Sequence, residues 1–92
     1  MEFVKAISPS EAKYKYLGLN KKIREEFPEK DKIFKLKFKT KIFNMKVNNK
    51  DCIMLSQLYY MYQFVEGDEI KITGNKNGVF ELTVNSQENM WK

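Results

Sequence analysis

Lys35, Lys37 and Lys39 alternate with Phe34, Leu36 and Phe38, an order that sets a row of point charges along one face of a strand. Alternate residues on one side of a strand lie roughly 6.8 Å apart, so such a row can neutralise successive charges of a polyanion. Lys41 extends the row, and Lys13, Lys15, Lys21, Lys22 and Lys46 supplement it. Reading base edges needs other side chains, because Arg suits guanine while Asn or Gln suits adenine. Arg24, Asn44, Asn48, Asn49 and Gln57 are the candidates for that role. A plainer account competes: an alternating lysine row is also the ordinary solvated face of a sheet, or an edge guarded against aggregation.

Other chemistries are poorly served. With no histidine and the single cysteine Cys52, the chain lacks the ligands of a structural zinc site, an intramolecular disulfide and any Cys-His or Ser-His pair. Cys52 sits in the apolar run CIML and reads as a small buried hydrophobe. Asp51 with Glu69-Ile70-Lys71 has the order of a metal-dependent nuclease motif, acid followed by E-x-K. That spacing is common in a lysine-rich chain, and no Pro-Asp precedes it. The expectation is therefore no catalysis, no catalytic residue, no metal site and no cofactor.

Seventeen basic residues against twelve acidic ones give a net charge of +5 and a pI near 9.3. This balance points to a polyanion such as nucleic acid or an anionic membrane surface. Arg24 is the only arginine, a pattern that AT-rich coding also produces, so charge alone does not fix the partner. The 92 residues, 42% hydrophobic and 14% aromatic, suffice for one domain, residues 1–92, with its own core. No apolar run approaches the ~20 residues that span a bilayer, and the first residues lack a basic segment followed by an apolar one. A cytoplasmic protein without a membrane partner is expected.

The elements that must position these residues are mostly strands. Residues 2–7 suit a first strand, and Ser10 suits the cap of a helical turn through Tyr14. Asn20 is placed to cap a helix over 21–27, where Leu19, Ile23 and Phe27 fall four apart and Pro28 ends the pattern. After the strand over 33–39 the apolar parity switches to Phe43, Met45 and Val47, which requires a hairpin or a bulge near 40–42. Residues 48–51 form a turn cluster, and 52–55 read as a short strand buried on both sides. Leu55, Leu58, Tyr59, Tyr62 and Val65 recur at helical spacing, so one face of a helix packs on the core there, and Tyr60, Met61 and Phe64 are left on its flanks to cover the mouth of a barrel. Gly67-Asp68 hands that helix to a strand over 69–73, a loop over 74–78 follows, and 79–84 completes the last strand.

This order, with the text LGLNKKIREEFP followed by LYYMYQFVEGDEIKITGNKNGVFELTV, resembles the DNA-binding pseudobarrel family of plant B3-like and restriction-enzyme DNA-recognition domains. The matching positions are Leu19, Arg24 and Phe27 in the first motif, and Leu58 to Ile72 around the Gly-Asp step in the second. The resemblance spans roughly residues 16–84. It departs from the plant members in its tryptophan, since the only one here is Trp91, and its central hairpin has no glycine. The resemblance implies a mostly β (α+β) fold, a small open β-barrel or pseudobarrel of about six or seven mainly antiparallel strands with two short helices. It also implies that two arms grip the DNA major groove, and the matching stretches are about 12–22 and 40–50.

The expected function is non-catalytic binding of double-stranded DNA, as a recognition or regulatory module. Lys13, Lys15, Lys21, Lys22, Arg24, Lys35, Lys37, Lys39, Lys41, Asn44, Lys46 and Asn48 are its contact residues. The alternative is a protein-interaction module of a phage or mobile element, with a protein partner on the aromatic surface of residues 59–64.

Overall fold

Period-two alternation becomes seven strands among the residues that the computed structural model describes, 1–75 and 78–85. In chain order these are β1 (Glu2–Ala6), β2 (Tyr16–Gly18), β3 (Phe34–Phe38), β4 (Lys41–Met45), β5 (Cys52–Met54), β6 (Glu69–Thr73) and β7 (Phe80–Asn85). Two short helices, α1 (Pro9–Tyr14) and α2 (Lys21–Arg24), flank β2, and a 3-10 turn, Leu58–Tyr60, precedes β6.

Five strands form one sheet in the order β1-β6-β7-β3-β4, while β2 and β5 form a separate antiparallel ribbon. Every pairing is antiparallel except β3 with β7. Past the end of β4, Val47 bridges to Ile53 of β5, so the ribbon continues the curve of the large sheet. The result is an open, barrel-like mostly β fold. Its interior holds Leu36, Phe38, Val47, Ile53, Leu55, Ile70, Ile72, Phe80 and Leu82, all essentially buried. Phe27 stacks on Phe80 at 4.8 Å, with Phe34 edge-on to Phe80 and tilted against Phe27, and Phe64 gathers Phe38, Tyr59 and Tyr62 at 5.6, 5.1 and 4.9 Å. Truncating a buried ring of this kind to alanine costs about 3–5 kcal/mol.

The parity switch is a hairpin. Phe38 faces Lys41 across a two-residue turn in which Lys39 takes φ 57°, the conformation that glycine or asparagine usually supplies. The expected strands over 2–7, 33–39, 69–73 and 79–84 form within a residue or so of those bounds. At Gly67, φ is 93°, and Asp68 accepts from the Val65 amide at 3.0 Å, which turns the chain into β6. Lys76 and Asn77 of the expected loop, and Trp91, lie outside the described residues.

Several expectations are corrected. Ser8, not Ser10, caps α1: its hydroxyl accepts from the Glu11 amide while the Glu11 carboxylate accepts from the Ser8 amide, a reciprocal box. Asn20 does cap α2, at 2.9 Å from the Ile23 amide, but α2 ends at Arg24. Beyond it the chain tightens through Glu26 N to Ile23 O and Phe27 N to Arg24 O, because Pro28 disfavours helical geometry at Phe27. The segment 55–65 makes one 3-10 turn instead of a helix. The chain extends after Met61, which buries Phe64 and leaves Val65 43% exposed. Cys52 and Met54 face outward while Ile53 faces the core, so β5 is buried on one side only. Strand β2, three residues long, had no periodicity to announce it.

Candidate nucleic-acid interface

The fold sets the stretch 12–22 against residues 51–55, which directly follow the stretch 40–50. Tyr16 pairs with Met54 and Gly18 with Cys52 in the β2–β5 ribbon, Leu55 N donates to Lys15 O at 2.8 Å, and Leu19 N donates to Asp51 O at 2.9 Å. Tyr14 and Tyr16 from the first stretch, and Asn48, Asn49 and Lys50 from the β4–β5 turn, line one depression of about 470 Å3 with Cys52 and Met54. A second depression, lined by Ile33, Asn44, Lys46, Asn48, Met54 and Gln57 among others, adjoins it through Asn48 and Met54.

A buried carboxylate fixes the first stretch. Glu11, only 2% exposed, accepts from Lys5 Nζ at 2.6 Å, Gly18 N at 2.8 Å and Ser8 N at 3.0 Å. Burial pushes the Glu11 carboxyl up, but the bonds from Lys5, Gly18 and Ser8 outweigh it and hold the group below its ordinary 4.5. This clamp ties α1 to β1 and β2. At its end Lys15 takes φ 59° and closes α1, with its ammonium 5.6 Å from the Tyr59 ring centre. Lys13 lies 5.2 Å from the ring centre of Tyr14.

The second stretch is fixed by an amide. Asn48 Oδ1 accepts from Lys50 N at 2.9 Å and from Cys52 N at 3.0 Å, a side-chain turn that tolerates Asp51 at φ 57°. Asn44 sits beside Lys35 across β3–β4, and its Oδ1 accepts from Lys35 Nζ at 2.8 Å. Lys46 lies 3.8 Å from Asp31, both well exposed, so that pair is weak.

The twelve expected contact residues therefore fall into three groups. Asn44, Lys46 and Asn48 line the two depressions, Lys35 and Lys13 reach their lining residues Asn44 and Tyr14, and Lys15 follows Tyr14 in the chain with its ammonium turned to Tyr59. Lys21, Lys22 and Arg24 belong to α2, which the Arg24–Asp51 pair at 3.3 Å holds against the β4–β5 turn. Arg24 also donates to Pro28 O at 2.8 Å, so its guanidinium is occupied as a strut within a separate, mixed-charge depression that includes Glu25, Glu29 and Lys30. Lys37, Lys39 and Lys41 stand apart. Lys37 faces Glu81 across β3–β7, and Lys39 bends over the rings of Phe38 and Tyr62 at the barrel's end. Lys41 is exposed opposite Phe38 in the hairpin.

No family model, curated protein or solved structure matches the chain. The site must be read from its own geometry. Tyr16 and Lys50, which lie within the two expected arms without being named as contacts, belong to it, as does Met54, which the sequence marked as core. The signal for Lys50 was present, since a lysine inside the Asn-Asn-Lys-Asp cluster must ride on an exposed turn.

Elsewhere the chemistry is spent on structure. Glu69 and Lys71 share the outer face of β6, but Lys71 pairs with Glu2 at 3.0 Å and Asp51 with Arg24. Among the described residues no group of three His, Cys, Asp or Glu is placed to hold a metal. The Cys52 thiol is pushed up by burial and by the nearby Asp51 and Glu11 carboxylates, which lowers its nucleophilic thiolate fraction. Leu58 and Phe64 are buried, Tyr59, Met61 and Tyr62 pack on the core, and Tyr60 alone of that aromatic segment stands free at 92% exposure. No helix among the described residues is long and apolar enough to cross a membrane.

Proposed function

We propose that this chain binds double-stranded DNA without catalysis, as a recognition or regulatory module of the pseudobarrel type acting in the cytoplasm. The observation that carries the reading is that Tyr14 and Tyr16 of stretch 12–22 and Asn48, Asn49 and Lys50 of stretch 40–50, distant in sequence, line one depression that adjoins a second bearing Lys46, with Lys13 over the Tyr14 ring and Lys15 exposed between the two tyrosines in the chain. Phosphates reward clustered, exposed lysines through counterion release, and the amides and tyrosines between them offer hydrogen bonds to base edges. The open seven-stranded architecture with two short helices supports the same reading. The aromatic segment favours the protein-interaction alternative less, because its rings are mostly committed to the core.

A titration of the chain with mixed-sequence duplex DNA across a range of salt tests this. With about six lysines on phosphates, the slope of log affinity against log salt is near −5. Salt-insensitive binding, or none to duplex, contradicts the proposal.

A further inference from the structure

We infer that the interface takes up the C5-methyl group of a pyrimidine, thymine or 5-methylcytosine, in the major groove, an inference that rests on the DNA-binding reading above. Large apolar side chains stand in water on the same face as the lysines. Ile33, one residue before β3, is 64% exposed and Met54 of β5 is 46% exposed, and both line the second depression with Asn44 and Lys46. Tyr14, also exposed, lines the first depression, which Met54 borders too. Single exposed apolar residues are ordinary, but several around one hollow mark a binding surface. The polar groups of that hollow do not choose a base: Asn44, Asn48 and Gln57 each carry a donor and an acceptor end and so favour no one base pair. The apolar pair has a narrower complement. Lys46 lines the hollow and Lys35 reaches its Asn44, so a duplex whose phosphates sit on these lysines turns its base edges to Ile33 and Met54. Those edges are polar except at the pyrimidine C5-methyl, which thymine carries in the major groove. Covering that methyl with Ile33 and Met54 removes apolar surface of both partners from water, whereas an unmethylated pyrimidine leaves the two side chains against polar edges. A two-stranded ribbon such as β2–β5, which carries Met54, is of a size that the major groove admits.

The experiment measures binding of the intact chain, at one moderate salt concentration, to two pairs of short duplexes of equal length. One pair is A·T-rich, with thymine or with uracil in its place, and the other is G·C-rich, with cytosine or with 5-methylcytosine. Within each pair the charge and the base pairing are the same. Each methyl taken up is worth about 4-fold in affinity, so a loss of that order on uracil substitution and a matching gain on cytosine methylation are the expected results. A change in one pair alone assigns the methyl to that pyrimidine. In the double variant Ile33→Thr, Met54→Gln, which makes both exposed tips polar and leaves the core untouched, the ratio within each pair falls to near one. Equal affinity within both pairs, or ratios that the double variant leaves unchanged, overturns the inference while leaving salt-dependent DNA binding standing. Absence of salt-dependent binding to every duplex overturns the underlying reading as well.

Discussion

The outer surface of the open barrel has two halves built on the same period-two rule with opposite outcomes. On β1, β6 and β7 the outward positions carry Glu2, Glu69 and Glu81 among Val4, Thr73 and Thr83, and the lysine there, Lys71, is paired to Glu2. Across β3, β4, β5 and β2 the outward positions are Lys35, Lys37, Ile42, Asn44, Cys52, Met54 and Tyr16, with Lys46 and Asn48 just past the end of β4. The boundary runs between β3 and β7, where Lys37 faces Glu81. A lysine row on a strand is thus not a binding face by itself. What separates the halves is whether neighbouring strands add acids or add further donors, and that depends on which strands are neighbours.

The strongest way to break the comparison is to remove the charges of one half. Replacing Lys13, Lys15, Lys46 and Lys50 by alanine is expected to lower duplex affinity on the order of 100-fold and to flatten the salt slope by about 4. The fold should persist, since all four are exposed. Glu11→Ala acts beneath the surface. It leaves the Gly18 and Ser8 amides without their acceptor and is expected to cost about 2–4 kcal/mol in denaturant unfolding. Glu11 also sets a pH dependence. Its folded-state carboxyl lies below its ordinary 4.5, so its contribution is present above about that pH and is lost as pH falls through the lower folded value. Acid unfolding followed by circular dichroism should show this loss in the native chain and a weaker one in Glu11→Gln.

Smaller changes sharpen the contrast. Asn48→Ala removes both bonds that shape the β4–β5 turn and is expected to cost about 1–2 kcal/mol in thermal or denaturant unfolding, together with part of the affinity. Lys15→Gly should separate stability from binding. The left-handed conformation at Lys15 is disfavoured for a residue with a Cβ, so the variant should gain up to about 1 kcal/mol in unfolding while binding duplex less tightly. Lys71→Ala, in the opposite half, should change stability by less than about 1 kcal/mol, less again at high salt, and leave duplex affinity unchanged.

How far these halves could be read in advance follows from what each signal measures. The strand faces were legible because burial of Phe34, Leu36 and Phe38, and then of Met45 and Val47 beside the half-buried Phe43, enforces strict alternation. The hairpin between them was legible from the parity switch, although Lys39 gave no hint of its positive φ. Strand neighbours were not legible. The parallel pairing of β3 with β7 joins residues more than forty apart, and nothing local to Lys37 announces Glu81. The same applies to the site. Lysines at 13, 15 and 46 were visible, but the occupation of Arg24 by Asp51 and Pro28, and of the Asn48 oxygen by its own turn, depends on contacts that only the folded backbone creates. The aromatic segment misled for a related reason: its spacing suits a helix, yet ring packing around Phe64 draws the chain out of one.

The central claim is that stretches 12–22 and 40–50 form one DNA-contacting surface. Its most direct test is a titration of the isotope-labelled chain with a short duplex, mapping backbone amide shifts residue by residue. The account predicts salt-sensitive perturbations clustered at 13–22, 44–50 and 52–54, with β1 and β6 unmoved. Perturbations centred on β1, β6 and β7, or confined to the region around Tyr60, or absent from both stretches, would contradict it.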